Sequence, residues 1–137
     1  MSFATGLAIA ISAVLSGSPT VSPMPQAQSV EQYVETYFAD TPVLIEIARC
    51  ESHMRQFDKD GNVLKNKTSS AIGIMQIMSS IHDDYADKLG IDIFTMQGNL
   101  AYAKHLYEQK GTAPWNASKA CWSKSKAGGL ALATNSK

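Results

Sequence analysis

The chain has 137 residues, 12 of them basic and 12 acidic, giving a formal net charge of zero; 45% are hydrophobic and 18% charged. A chain of this length can build one hydrophobic core but not two. Its balanced charge offers no long-range attraction to nucleic acid, and an anionic wall polymer would have to be recognised through short-range contacts.

Residues 1–28 differ in kind from the rest of the chain. Ser2 to Leu15 is an almost uncharged apolar run containing Phe3, Leu7, Ile9, Ile11, Val14 and Leu15, and the stretch to Ser29 adds Ser, Pro, Thr and Gln without a charge. The run is shorter than the roughly 20 residues a membrane span needs, and it suits the apolar region of a secretory signal. No Lys or Arg precedes it, and Ala27 stands in a poor cleavage pattern. Export is the expectation, with a buried amphipathic arm as the alternative; uncleaved, the run would serve as a weak membrane tether.

From Ser29 the pattern turns helical. Ser29 with Gln32 makes a capping box, and Val30, Val34, Tyr37 and Phe38 form an apolar face. Thr41-Pro42 marks a second start, with Pro at the first helical position. This helix should run through Leu44, Ile47, Ala48 and Glu51 and end near Met54. Phe57 to Thr68, rich in Asp, Gly, Asn and Lys, predicts a loop or small hairpin. Its Asp58-Lys59-Asp60-Gly61-Asn62 has a calcium-loop flavour but lacks the later bidentate Glu, so a solvated turn is expected. Ser80 with Asp83 predicts the next helix start, with Ile81, Tyr85 and Leu89 facing inward and Gly90 ending it. Met96, Leu100, Ala103, Leu106 and Tyr107 form a further stripe closed by Gly111, and Asn116 or Ser118 begins a short final helix. Ser, Lys, Gly, Ala and Asn from Ser123 onward predict a flexible tail over 123–137. The expected fold is mainly α, one domain over 29–122 with a loop or short hairpin after the second helix.

Glu51 is the residue out of place. It falls at i+7 from Leu44 on a stripe otherwise apolar, and a carboxyl there is partly desolvated, which favours its protonated form. A Glu kept protonated near neutral pH can act as a general acid. The same spacing also suits a stripe-edge Glu paired with a cation or reaching water. Two cysteines, Cys50 and Cys121, suggest one disulfide in an exported chain, worth on the order of 4 kcal/mol in the chain-entropy account. Two buried thiols, or Cys50 acting as a nucleophile with His53 or His105, are the alternatives. His at ligand spacing is missing, so no metal site is expected.

Three segments in order, Ile47-Ala48-Arg49-Cys50-Glu51-Ser52, Ala71-Ile72-Gly73-Ile74-Met75-Gln76-Ile77-Met78-Ser79-Ser80 and Gly98-Asn99-Leu100-Ala101-Tyr102-Ala103, resemble the soluble lytic transglycosylases of the lysozyme-like superfamily. The resemblance covers about Val43 to Trp122 and implies a small lysozyme-like domain with an open groove for a peptidoglycan strand. It assigns Glu51 as the catalytic acid and base and places Gly73, Met75 and Gln76 on the groove. Glycine lets backbone approach a sugar, Met offers a soft apolar face, and Gln offers donor and acceptor. Ser69 or Ser70 is a further candidate to reach the glycan, although Lys67 stands where the family commonly has its Ser. Asn99 is expected to brace the core, and Ser52 to cap the end of the Glu51 helix. The family's Ala-Tyr-Asn near the C-terminus is absent. Ala117-Ser118-Lys119-Ala120-Cys121-Trp122 stands there and, with Cys50, looks like a shorter disulfide-bearing branch. Trp122 would floor a sugar subsite or plug the core, and Tyr102 or Tyr107 would have to supply the missing hydroxyl.

The implied reaction needs one carboxyl. Glycosidases that hydrolyse generally need two, and Asp58, Asp60, Asp83 and Asp84 all have simpler explanations as loop or helix-start residues. Transglycosylation is therefore expected, with a hydrolytic muramidase or a catalytically silent binding module as alternatives. The implied partner is the peptidoglycan strand. The chain is expected to be an exported monomer that needs no cofactor.

Overall fold

The computed structural model describes residues 27–134; the apolar run proposed for export or tethering lies outside them. The described chain is mainly helical, in the order α1 (Val30–Tyr37), α2 (Pro42–Ser52), β1 (Ala71–Ile72), β2 (Ile77–Met78), α3 (Ser79–Lys88), α4 (Met96–Lys110), a 3-10 segment (Ala113–Ser118), α5 (Lys119–Trp122) and α6 (Lys126–Thr134). No described helix is long and apolar enough to cross a membrane.

Local chemistry sets the first two helices. Ser29 Oγ accepts from the Gln32 amide and Gln32 Oε1 accepts from the Ser29 amide, both at 3.1 Å, which closes the predicted capping box. Val34 and Phe38 bury completely against the rest of the core. Pro42 opens α2, where a missing amide hydrogen costs nothing. Its Leu44, Ile47 and Ala48 are fully buried, and each large side chain contributes about 1.5–3 kcal/mol relative to exposure. α2 packs against α1, the 3-10 segment, α5 and α6.

β1 and β2 form an antiparallel hairpin with Ala71 opposite Met78 and Ile72 opposite Ile77. The preceding loop extends it through single bridges, Lys65 with Ile72 and Phe57 with Val63. Inside the Phe57–Val63 bridge, Asp58 Oδ1 accepts from the Asp60 and Asn62 amides, a local turn. On α4, Thr95 Oγ1 caps the Gly98 amide at 3.0 Å, Leu100, Ala103 and Leu106 bury, and Gly111 ends the helix as expected.

Two expectations fail. Ile81, Tyr85 and Leu89 do not face inward: they are 63%, 48% and 42% exposed, and Ala86 is the buried residue of α3. The helix begins at Ser79 directly from β2, and the hairpin fixes its rotation: Ser79 donates through amide and hydroxyl to the Ser70 carbonyl at 3.0 and 2.9 Å. The predicted Ser80–Asp83 cap does not form; Ser80 Oγ instead meets Ser70 Oγ at 2.6 Å. The second failure is the tail. Residues Lys126–Thr134 form α6, which packs on α2. A Cβ at Gly128 would collide with the Trp122 carbonyl, so only glycine lets the helix lie this close.

Candidate active site

Glu51 occupies the last turn of α2 and is half-buried. Its Oε1 accepts from Ser118 Oγ at 2.5 Å. Burial pushes the carboxyl's pKa above the ordinary glutamate value, and the Ser118 hydroxyl pulls it part of the way back. Among the described residues no charged side chain contributes to this shift. Of the stripe-edge alternatives, pairing with a cation is not what the structure shows; Glu51 is partly exposed, as one reaching water would be.

The Ser118 hydroxyl also lies 3.2 Å from the Trp115 carbonyl. It therefore has a partner in both protonation states of Glu51. Ionised, the carboxylate takes the hydroxyl hydrogen; protonated, Glu51 can donate to Ser118 Oγ while the hydroxyl hydrogen turns to Trp115. A proton can leave and return to Glu51 without stranding a buried polar atom.

A disulfide joins Cys50 to Cys121 with Cα atoms 6.0 Å apart. It fixes the turn of α2 that carries Glu51 to the helix that follows Ser118. It also removes the thiol that nucleophilic catalysis by Cys50 would require. Beyond Glu51 the chain leaves the helix with His53 and Met54 both at positive φ (54° and 61°). Ser52 holds this exit: its Oγ donates to the Ala48 carbonyl and accepts from the Arg55 amide, both at 3.1 Å. Backbone of this kind is maintained only where its surroundings over-determine it.

The Gly73–Gln76 turn is held from three sides. Asn99, fully buried, accepts from the Met75 amide at 2.8 Å and donates to the carbonyls of Ile72 and Ile93 at 3.2 and 2.9 Å. Gln56 accepts from the Ile74 amide at 2.8 Å and donates to the Phe94 carbonyl at 3.1 Å. Trp115 Nε1 donates to the Met75 carbonyl at 2.9 Å, and Trp122 Nε1 donates to the Trp115 carbonyl at 2.9 Å. A continuous set of bonds thus runs from Glu51 through Ser118 and Trp115 to the turn.

Several predicted ligand contacts prove internal. Met75 is fully buried and Trp122 nearly so, with its indole N–H committed to Trp115; both are core residues because the turn and α5 are packed inward. Gly73 is buried and at φ 72°, and a Cβ there would meet Asn99 Nδ2 at 2.5 Å and Gln56 Oε1 at 2.6 Å. The glycine thus makes room for the amides that hold the turn, not for a sugar. Ser70 is spent on the start of α3. Tyr102 is buried on α4 with its hydroxyl 3.0 Å from His82 Nδ1, outside the Glu51 network. Gln76 does remain at the surface. Its Nε2 donates to the Gly73 carbonyl at 2.9 Å, which leaves Oε1 as an acceptor, and it lines a cavity of about 330 Å³ together with Trp115.

The residues that sequence reasoning missed are Ser118 as the partner of Glu51, Trp115 as the link, and Gln56 as the second brace. None lies on a periodic stripe, although a Trp preceding Ser118 by three residues fits a 3-10 turn. Among the described residues there is no group of three His, Cys, Asp or Glu able to hold a metal ion. Comparison with protein-family models, curated proteins and solved structures finds no match.

Proposed function

We propose that this chain is a peptidoglycan lytic transglycosylase with a lysozyme-like fold. It would cleave the β-1,4 bond between N-acetylmuramic acid and N-acetylglucosamine and leave a 1,6-anhydro-N-acetylmuramic end. One observation carries the proposal: a half-buried glutamate whose proton affinity is raised by burial, with Ser118 as its hydrogen-bond partner. Protonated Glu51 donates to the glycosidic oxygen as the bond from the anomeric carbon breaks, and the departing sugar keeps that proton. The 6-hydroxyl of the muramic residue then attacks the anomeric carbon and returns its proton to Glu51. No water is consumed, and one carboxyl serves both steps.

The ordered resemblance of the three segments supports this proposal, as does the disulfide, which fits an oxidising compartment and hence export. The experiment is digestion of purified peptidoglycan, with products read by mass spectrometry. Fragments lighter by one water than hydrolysed ones, absent with Glu51→Gln, are expected. Reducing-end fragments would make the chain a hydrolase, and no fragments from a folded, disulfide-bonded chain would make it a binding module.

A further inference from the structure

The cavity beside the turn has a chemistry of its own. Its apolar wall is formed by Ile77, Leu106 and Trp115, and its polar groups are Gln76, His82 and Lys110; no described carboxylate lines it. Its volume of about 330 Å³ is at the small end of sites that hold a compact ligand. Lys110, at the end of α4, has no ion-pair partner among the described residues.

His82 is oriented from behind. Its Nδ1 lies 3.0 Å from the hydroxyl of buried Tyr102. Burial and the nearby Lys110 both lower the pKa of the imidazole, which favours its neutral form. Were Nδ1 to carry the hydrogen, the Tyr102 hydroxyl would be left buried with no acceptor, at a cost the other tautomer avoids. The hydroxyl therefore donates to Nδ1, and the ring hydrogen sits on Nε2, the one polar ring atom left for the cavity. The cavity thus offers a neutral N–H donor and an ammonium group beside an apolar wall.

We propose that this cavity is a carboxylate subsite, in which Lys110 and the Nε2–H of His82 take the acid group of an acidic amino sugar. That the ligand is a sugar rests on the transglycosylase proposal; that it bears a carboxylate rests on the cavity alone. The acid could be the free lactyl group of N-acetylmuramic acid or a carboxylate of the peptide attached to it.

The test is titration of the whole chain with N-acetylmuramic acid, its alanyl-isoglutamine dipeptide and N-acetylglucosamine, followed by NMR of the His82 ring and the Trp115 indole. A carboxylate ligand should bind about tenfold or more tighter than N-acetylglucosamine, as a charge-assisted pair allows, and should shift the Nε2–H resonance. Lys110→Met should erase the difference without changing N-acetylglucosamine binding, and Lys110→Arg should keep it. Tighter binding of the free acid places the lactyl group in the cavity; tighter binding of the dipeptide places the peptide there. Equal affinity for all three ligands, or a preference that survives Lys110→Met, overturns the proposal. Anhydro products with equal affinities would remove this subsite alone. A carboxylate preference without cleavage would remove the transglycosylase proposal alone.

Discussion

Breaking the Cys50–Cys121 bridge should cost this protein much of its stability, and its site more than the rest of the fold. The bridge spans 71 residues, and closing a loop of that size removes about 4 kcal/mol of chain entropy from the unfolded state. Small domains have about 5–15 kcal/mol in total. The Cys50→Ala/Cys121→Ala double variant should therefore lose on the order of 15 °C in Tm, and its urea midpoint should fall. Because the bridge pins the last turn of α2 to the helix after Ser118, the Ser118–Glu51 contact should loosen before the core does. The wall-cleaving activity proposed for the chain, measured well below the new Tm, should drop further than the folded fraction. A stability loss under about 1 kcal/mol, with the bridge mapped as intact in the parent, would refute the loop argument. Unchanged activity in the folded variant would refute the link to the site.

Stability should also report on Glu51. Its carboxyl is raised above the ordinary value, so the folded chain keeps a proton the unfolded chain has already lost. Stability then falls as pH rises from the ordinary glutamate value through the folded one. Glu51→Gln keeps an acceptor for Ser118 and has no charge to desolvate. Calorimetry should find it more stable than the parent above that window and without advantage below it; no pH dependence in the difference would count against a desolvated carboxyl. Ser118→Ala removes the bond that lowers the Glu51 pKa, so the alkaline limb of kcat/KM should move to higher pH; an unmoved limb would break the pairing. Asn99→Leu leaves the Met75 amide and the Ile93 carbonyl without their partner, at about 1–3 kcal/mol each, while the Ile72 carbonyl keeps its pairing with Ile77 across the hairpin. Urea unfolding should show a loss of at least about 2 kcal/mol, and a loss under about 1 would mean the turn does not need its brace.

How much of this was legible in the sequence depends on where each feature is determined. The start of α1 is written locally, in Ser29 with Gln32, and local capping is what sequence encodes most directly; the Thr95 cap on α4 is equally local but went unread. Glu51 stood out because it broke a stripe, and its shifted carboxyl follows from that stripe being buried. The rotation of α3 was not legible, because Ser70, nine residues earlier than Ser79, determines it. Nor was α6: its Ala and Gly composition forms no stripe, and its order comes from packing on α2 and Trp122. Met75 was misplaced, and Trp122 left open between a sugar subsite and the core, for a plain reason. An apolar side chain looks the same in sequence whether it faces a sugar or the core, and only the partners of the neighbouring N–H and C=O groups decide.

Those partners also explain why the site uses so few charges. The turn at Gly73–Gln76 is held by two neutral amides and an indole, and Glu51 by a hydroxyl. A lysine or arginine in the place of Ser118, the residue that touches Glu51, would favour the ionised carboxylate and push the Glu51 pKa down, against the acid role proposed for it. Neutral donors hold the backbone without that effect. Arg49, two residues before Glu51, shows the separation directly: its guanidinium is paired with Glu31, Glu35 and Glu46, and it makes no contribution to the Glu51 shift. Removing that charge with Arg49→Gln should therefore leave the alkaline limb of kcat/KM in place, whereas Ser118→Lys should abolish the proposed acid activity.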